Sequence, residues 1–242
     1  MRICLAQIAE AKGNVINSYK RHQIFIDEAN KLKADLLLFP ELSLTGYEPE
    51  MADQLVFQAT DGRFNIFQRL SNENRLTLCI GVPIQKTHGI EICMMICHPG
   101  KPVHFYAKSL LHPDEFPYFV PGQLDYFIES DDQIISPAIC FESFQESHLQ
   151  KVIDRNTTIY LSSVAKHEKG LGQALPFFSE FSKSNYCISV MCNSIGTNSD
   201  FECAGSSTIW NSSGEIVAQL DSSSEGLALF DTKTMESLTV PF

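Results

Sequence analysis

Three side chains of this 242-residue sequence could between them cleave an acyl bond: the carboxyl of Glu41, the ammonium of Lys108 and the thiol of Cys140. Each closes an apolar run. Leu36-Leu37-Leu38-Phe39-Pro40 leads to Glu41, Phe105-Tyr106-Ala107 to Lys108, and Ile134-Ile135-Ser136-Pro137-Ala138-Ile139 to Cys140. A thiol becomes a nucleophile as its thiolate, and a nearby cation such as Lys108 would lower its pKa. Attack on a carbonyl creates an oxyanion that an ammonium and a backbone N–H can hold. One carboxylate, if burial raises its pKa, can protonate the leaving amine and later deprotonate water, and Glu41 follows an apolar run that would bury it. Taken singly, a Glu after a strand is a loop residue or a cap, a Lys is surface charge and a Cys in an apolar run is core. All three, however, stand at strand ends, where a parallel sheet presents chemistry.

The elements that must position them alternate. Strands are predicted over residues 3–8, 34–39, 76–83, 90–97, 103–106, 133–139, 157–162, 186–192, 206–210, 216–220 and 227–231. Helices are predicted over 15–33, 57–74, 144–154 and 176–184, from apolar positions recurring at helical spacing. The run at 34–39 is apolar without alternation, as in a strand covered on both faces. Between Lys108 and Gly122 lies a long loop rich in Pro and polar residues, too long for a mere connector. No repeat or Ser/Pro-rich linker divides the chain, so residues 1–242 read as one α/β domain.

Composition narrows the function. The formal net charge of −11 disfavours nucleic acid and anionic membrane surfaces as partners. No apolar run reaches the roughly 18 residues of a membrane span, and no signal-peptide pattern opens the chain, so a cytoplasmic location is expected. Cys4, Cys79, Cys93, Cys187 and Cys192 stand in strand-like apolar runs and read as buried reduced thiols. Cys93, Cys97 and His98 lack a second ligand pair at metal-site spacing, so no metal and no cofactor is expected. No His has the local signature of a Cys–His protease.

The segments together resemble the nitrilase, or carbon–nitrogen hydrolase, superfamily. Phe39-Pro40-Glu41-Leu42-Ser43-Leu44-Thr45-Gly46-Tyr47 is similar to its glutamate motif, Tyr106-Ala107-Lys108 to its lysine motif, and Cys140-Phe141-Glu142 to its cysteine motif. Glu115, ahead of Tyr118-Phe119-Val120-Pro121-Gly122, is similar to its additional active-site glutamate. Asn193-Ser194-Ile195-Gly196, Ala204-Gly205-Ser206-Ser207 and Gly214-Glu215-Ile216-Val217 resemble its later landmarks. The resemblance implies a four-layer αββα sandwich and metal-free hydrolysis through a thioester. It implies a homodimer, or a larger even-numbered assembly, paired through the face near the cysteine. By the same resemblance Cys140 is the nucleophile, Glu41 the base, Lys108 the oxyanion stabiliser and Glu115 a supporting carboxylate, with the Phe141 N–H as second oxyanion donor. Phe181-Ser182-Lys183-Ser184-Asn185 departs from the arginine- and glutamate-bearing helix end of many members, which bears on the substrate rather than on the chemistry.

Tyr47, Phe141, Glu142, Lys166 and His167 are candidate substrate contacts. For Glu142 the alternative is an internal salt-bridge partner. For Lys166 and His167, which follow a strand expected to end near the pocket, the alternative is surface charge. The expected function is hydrolysis of a non-peptide C–N bond in a small linear amide or carbamoyl compound, releasing ammonia. The alternatives are a nitrilase, which Phe141 in place of the usual Trp disfavours, and a non-catalytic small-molecule-binding protein on the same fold. An ATP-using second domain like that of the glutamine-dependent NAD synthetases is not expected.

Overall fold

The computed structural model describes residues 1–123, 125–130 and 132–242. In chain order the strands are β1 (Arg2–Gln7), β2 (Leu36–Leu38), β3 (Thr77–Lys86), β4 (Gly89–Cys97), β5 (His104–Ala107), β6 (Ile128–Ser130), β7 (Gln133–Ile139), β8 (Ile159–Val164), β9 (Ile188–Asn193), β10 (Ile195–Thr197), β11 (Glu202–Ala204), β12 (Thr208–Trp210), β13 (Ile216–Gln219), β14 (Gly226–Asp231) and β15 (Ser237–Pro241). The helices are α1 (Val15–Lys31), α2 (Ala52–Leu55), α3 (Asn65–Asn74), α4 (Glu146–Asp154) and α5 (Glu168–Asn185). Among the described residues the strands form two main sheets, ordered β15-β14-β1-β2-β3-β4-β5 and β13-β12-β9-β8-β7-β6, and a small β10-β11 hairpin.

Side-chain alternation along the central strands builds the layers. On β1 and β2, Ile3, Leu5, Leu36 and Leu38 meet Ile159, Leu161 and Val190 of β8 and β9 in the core between the sheets. Cys4, Ala6 and Leu37, one residue out of phase, pack instead with Phe25, Ile26 and Ala29 of α1 and Phe67 of α3. Tyr160 and Met191 face Val152 of α4 and Ala174, Phe178 and Phe181 of α5. The order is therefore helix, sheet, sheet, helix: the αββα sandwich. β1, β2 and β3 run parallel, as do β7, β8 and β9, and the edges are antiparallel.

Three sequence expectations change. The helix read over 57–74 begins only at Asn65, because Phe57 bridges Ile84 of β3 and the Asp61 side chain starts a 3-10 turn at Gly62–Phe64. The helix read from residue 176 begins eight residues earlier. His167 caps it by accepting from Gly170 N–H, and Pro176 is carried inside. Strands β6, β10, β11 and β15 were not expected; β15 adds an antiparallel edge to β14 from the tail. The eight cysteines are all free, and Cys93 and Cys97 are core residues of the first sheet's helix-facing layer.

One glycine determines where the Glu41 turn sits. Gly81 of β3 donates to Ser43 Oγ at 3.3 Å and accepts from Leu44 N–H at 3.0 Å. A Cβ there would stand 2.3 Å from Leu42 N and 2.4 Å from the Pro40 carbonyl, both backbone atoms. Gly81→Ala must therefore displace the turn. The expected result in urea unfolding is a loss of about 3 kcal/mol, the upper end for overpacking. A variant of wild-type stability would show that the turn shifts freely.

Candidate active site

Each candidate residue is set by the chain that precedes it. After β2, Phe39 N–H donates to the Cys79 carbonyl at 2.8 Å. Ser163 Oγ of β8 donates to the Phe39 carbonyl at 2.9 Å, tying the two sheets together two residues before Glu41. The turn then passes Leu42 at φ +50°, closed by Gly46 N–H on the Leu42 carbonyl. Lys108 directly follows β5, its N–H on the Ile92 carbonyl and its own carbonyl accepting from Gly122 N–H at 2.7 Å. A Cβ on Gly122 would lie 2.5 Å from Ala107 Cβ, so the loop closes against β5 only with glycine there. Inside that loop a 3-10 turn at Pro113–Glu115 folds Glu115 inward, its Oε2 accepting from His112 N–H at 2.7 Å.

Cys140 directly follows β7 at φ +48°, a left-handed conformation uncommon for a residue with a Cβ. There the chain leaves the strand for a 3-10 turn at Cys140–Phe144. N–H groups of a first helical turn, Phe141's among them, find no partner within the helix.

These segments bring three charges together. Lys108 Nζ donates to Glu41 Oε1 at 2.8 Å and to Glu115 Oε1 at 2.6 Å, and all three side chains are buried. Tyr47 Oη donates to the same Glu115 Oε1 at 3.0 Å. Burial opposes the Lys108 charge, but the two carboxylates outweigh it and hold the ammonium above its ordinary range. Burial pushes the Glu41 carboxyl up to about 7, against the pull of Lys108 and with the push of Glu115. Glu41 Oε2 has no hydrogen-bond partner, and the Cys140 thiol is among the groups acting on this carboxyl.

Cys140 departs from the sequence reading in one respect. Lys108 was expected to lower the thiol pKa. Burial, reinforced by the Glu41 charge, instead pushes it up to about 11, and Lys166 and Lys108 only partly offset this. The thiol is thus protonated at neutral pH. Its Sγ lies 3.8 Å from the Ala165 carbonyl, and it is the one partly exposed cysteine among the described residues.

Cys140 lies in the wall of a cavity of about 790 Å³. Tyr47, Glu115, Phe141, Lys166 and His167 line it as well, while Glu41 and Lys108 lie beneath its surface. His112 meets Phe141 edge-on at 5.3 Å, and Phe201 stands between Tyr47 and His167, 5.8 and 5.7 Å from their rings. Phe201 was missed because it precedes β11, too short to read from sequence. His112 lies in the loop already singled out, three residues before Glu115.

The sequence profile of the carbon-nitrogen hydrolase family matches residues 2–237. The chain belongs to the carbon-nitrogen hydrolase family. A 2-oxoglutaramate amidase from Bacillus subtilis is 25% identical over 232 residues, covering 94% of this chain and 89% of the amidase. A glutamine-dependent NAD(+) synthetase from Acinetobacter baylyi is 28% identical over 234 residues; it aligns with 93% of this chain, which spans only 43% of the synthetase. Among solved structures, a Nesterenkonia amidase superposes with a TM-score of 0.83 at 20% identity, covering 96% of this chain and 92% of that one. Another structure of that amidase, with acrylamide added at its active-site cysteine, superposes at 0.86 with 20% identity, covering 97% and 94%. The αββα sandwich is thus the fold of nitrilase-superfamily amidases.

In this carbon-nitrogen hydrolase, Glu142 does not reach the cavity. Its carboxylate is buried among donors from both halves of the site. Oε1 accepts from Tyr106 Oη at 2.6 Å and Ile139 N–H at 2.8 Å. Oε2 accepts from Ser109 N–H at 2.7 Å, Ser109 Oγ at 2.9 Å and Leu110 N–H at 3.4 Å. No cation takes part among the described residues; the carboxylate, expected as a substrate contact or a salt-bridge partner, instead clamps the segment after Lys108 to the turn after Cys140. An amide in its place would turn an N–H₂ toward N–H donors. Glu142→Gln is expected to cost about 2–3 kcal/mol in urea unfolding. Wild-type stability would mean that the carboxylate holds nothing in place.

Proposed function

We propose that this chain is an amidase that hydrolyses a small linear amide or carbamoyl compound through a thioester on Cys140, releasing ammonia. The observation that carries the reading is the buried Glu41–Lys108–Glu115 cluster below a protonated thiol that opens on a cavity. The named activity of the Bacillus subtilis relative, nearly all of whose length the chain spans, supports it.

Because the thiol is protonated at rest, attack needs a base at the moment of bond formation. Glu41 takes the Sγ proton as sulfur bonds to the carbonyl carbon. The carbonyl oxygen becomes an oxyanion, held by Lys108 Nζ and the Phe141 N–H. Glu41 then returns the proton to the amine nitrogen, the C–N bond breaks and ammonia leaves, with the acyl group on sulfur. A water enters, gives its proton to Glu41 and attacks the thioester. The C–S bond breaks, the sulfur regains its proton and the acid departs. Glu115, which holds Lys108 together with Tyr47 and His112, is a positioning residue. Neither a metal nor a cofactor enters these steps.

A panel of ω-amides, carbamoyl amines and nitriles screened for ammonia release tests the reading. Turnover of an amide, lost in Cys140→Ala, is expected; release from nitriles alone would make the protein a nitrilase. Glu41 acts as a base only when deprotonated, so kcat/KM should fall as pH drops through about 7, and Glu41→Gln should lower kcat roughly a thousandfold. A profile flat from pH 5 to 8 would remove Glu41 from the proton transfers.

The same reading includes a homodimer paired through the face beside the cysteine. Tyr118, which lines the same cavity as Cys140, is exposed, as is Phe116 two residues before it. Light scattering should give twice the chain mass of 27.1 kDa, or a larger even multiple; a monomer at working concentration would refute the pairing.

A further inference from the structure

We propose that Lys166 selects amides bearing a carboxylate at the end remote from the scissile bond, by pairing its ammonium with that carboxylate. The inference rests on the amidase reading and names its substrate class.

Lys166 follows Ala165, whose carbonyl lies 3.8 Å from Cys140 Sγ, so it is placed next to the proposed nucleophile. Its backbone is pinned on both sides by one side chain: Lys166 N–H donates to Asn193 Oδ1 at 2.8 Å, and Asn193 Nδ2 donates to the Lys166 carbonyl at 3.0 Å. Asn193 is itself buried and bonded through Nδ2 to the Gly205 carbonyl at 2.9 Å. From that fixed base the side chain lies over Phe144, with Nζ 4.4 Å from the ring centroid. Phe144 lies in the 3-10 turn that Cys140 begins. The stem is thus held by packing while the charged end stays in the cavity.

What that ammonium lacks is an anion. Among the described residues no carboxylate oxygen lies within 4.0 Å of Lys166 Nζ, whereas Lys108 has two. The other acids lining the cavity do not supply one. Glu115 accepts from Lys108, Tyr47 and His112; Asp114 lies 3.3 Å from His112 Nδ1; Glu50 and Asp200 are not paired with Lys166. The Lys166 charge nonetheless acts on the Cys140 thiol, favouring its ionised form as Lys108 does. A protein of net charge −11 repels anions at long range, so an anionic substrate needs a local cation of this kind. A short amide whose carbonyl carbon meets Cys140 can bring a terminal carboxylate to a partly desolvated ammonium a few bonds away, where charge-assisted hydrogen bonding is strong.

The test compares glutaramate with pentanamide, chains of five carbons that differ in the terminal carboxylate. The readout is the ratio of their kcat/KM values in wild type, Lys166→Met and Lys166→Arg. Met keeps the stem on Phe144 and removes the charge; Arg restores it. The ratio should exceed one in wild type, fall roughly 30-fold in Lys166→Met and recover in Lys166→Arg. An equal loss on both amides would assign Lys166 to the thiol instead, and an unchanged ratio would leave it idle; either overturns the proposal. Calorimetric binding of glutaramate to Cys140→Ala protein, with and without Lys166→Met, reads the pairing without turnover. Binding that Lys166→Met abolishes supports the carboxylate pairing even where wild type releases no ammonia, in which case the hydrolytic reading alone fails. Binding that Lys166→Met leaves intact overturns the pairing whatever the turnover.

Discussion

A single ammonium held between two carboxylates, out of contact with solvent, is the interaction on which the site depends. Removing three charges from water is costly, and their mutual attraction compensates only when the geometry is tight. Lys108 meets Glu41 at 2.8 Å and Glu115 Oε1 at 2.6 Å; Tyr47 donates to the same Glu115 oxygen and His112 N–H to the other. Only one oxygen of Glu41 is left without a partner. The cluster also explains how a carboxyl can be basic beside a cation. Burial and Glu115 act together on Glu41 against Lys108, and the balance lies near neutrality rather than in the ordinary carboxylate range.

The scaffold around that cluster joins segments far apart in sequence. Glu41 follows a strand of the first sheet and Cys140 a strand of the second. Ser163 on the Phe39 carbonyl, and Cys192 Sγ on the Ala6 and Leu38 carbonyls at 3.3 Å each, are polar contacts in the otherwise apolar inter-sheet core. Glu142 provides the third tie, between the lysine and cysteine segments. A buried carboxyl with no cation beside it among the described residues is tolerated there because five donors surround it. Each bond constrains how far one sheet can slide on the other, and so how far base and thiol can drift apart.

Much of this was legible in the sequence, for definite reasons. The run before Glu41 is apolar without alternation because both faces of β2 are covered, and a reactive side chain at the end of such a run is conspicuous. What was not legible depended on partners remote in sequence. Phe57 looks helical until Ile84 bridges it. Gly170, Gly172 and Pro176 hide the first half of α5, which His167 nevertheless caps. Glu142 beside a candidate nucleophile looks like a substrate contact until Tyr106, Ser109 and Leu110 are seen to occupy it. The direction of the Cys140 shift could not be read either. Lys108 is visible as a cation, but the sign follows from burial and from two carboxylates that fold beside it.

A thiol that rests protonated has a consequence for survival in an oxidising milieu. Peroxides, disulfides and alkylating metabolites react with thiolates, and a cysteine kept ionised as an ion pair is exposed to them continuously. Cys140, at about 11, presents almost no thiolate at neutral pH although its sulfur opens on a wide cavity. Deprotonation is delegated to a neighbouring carboxyl, whose proton uptake is coupled to bond formation with a bound acyl carbon. The arrangement keeps a reactive atom at the cavity wall in a chemically dormant form, armed by its substrate rather than by its surroundings.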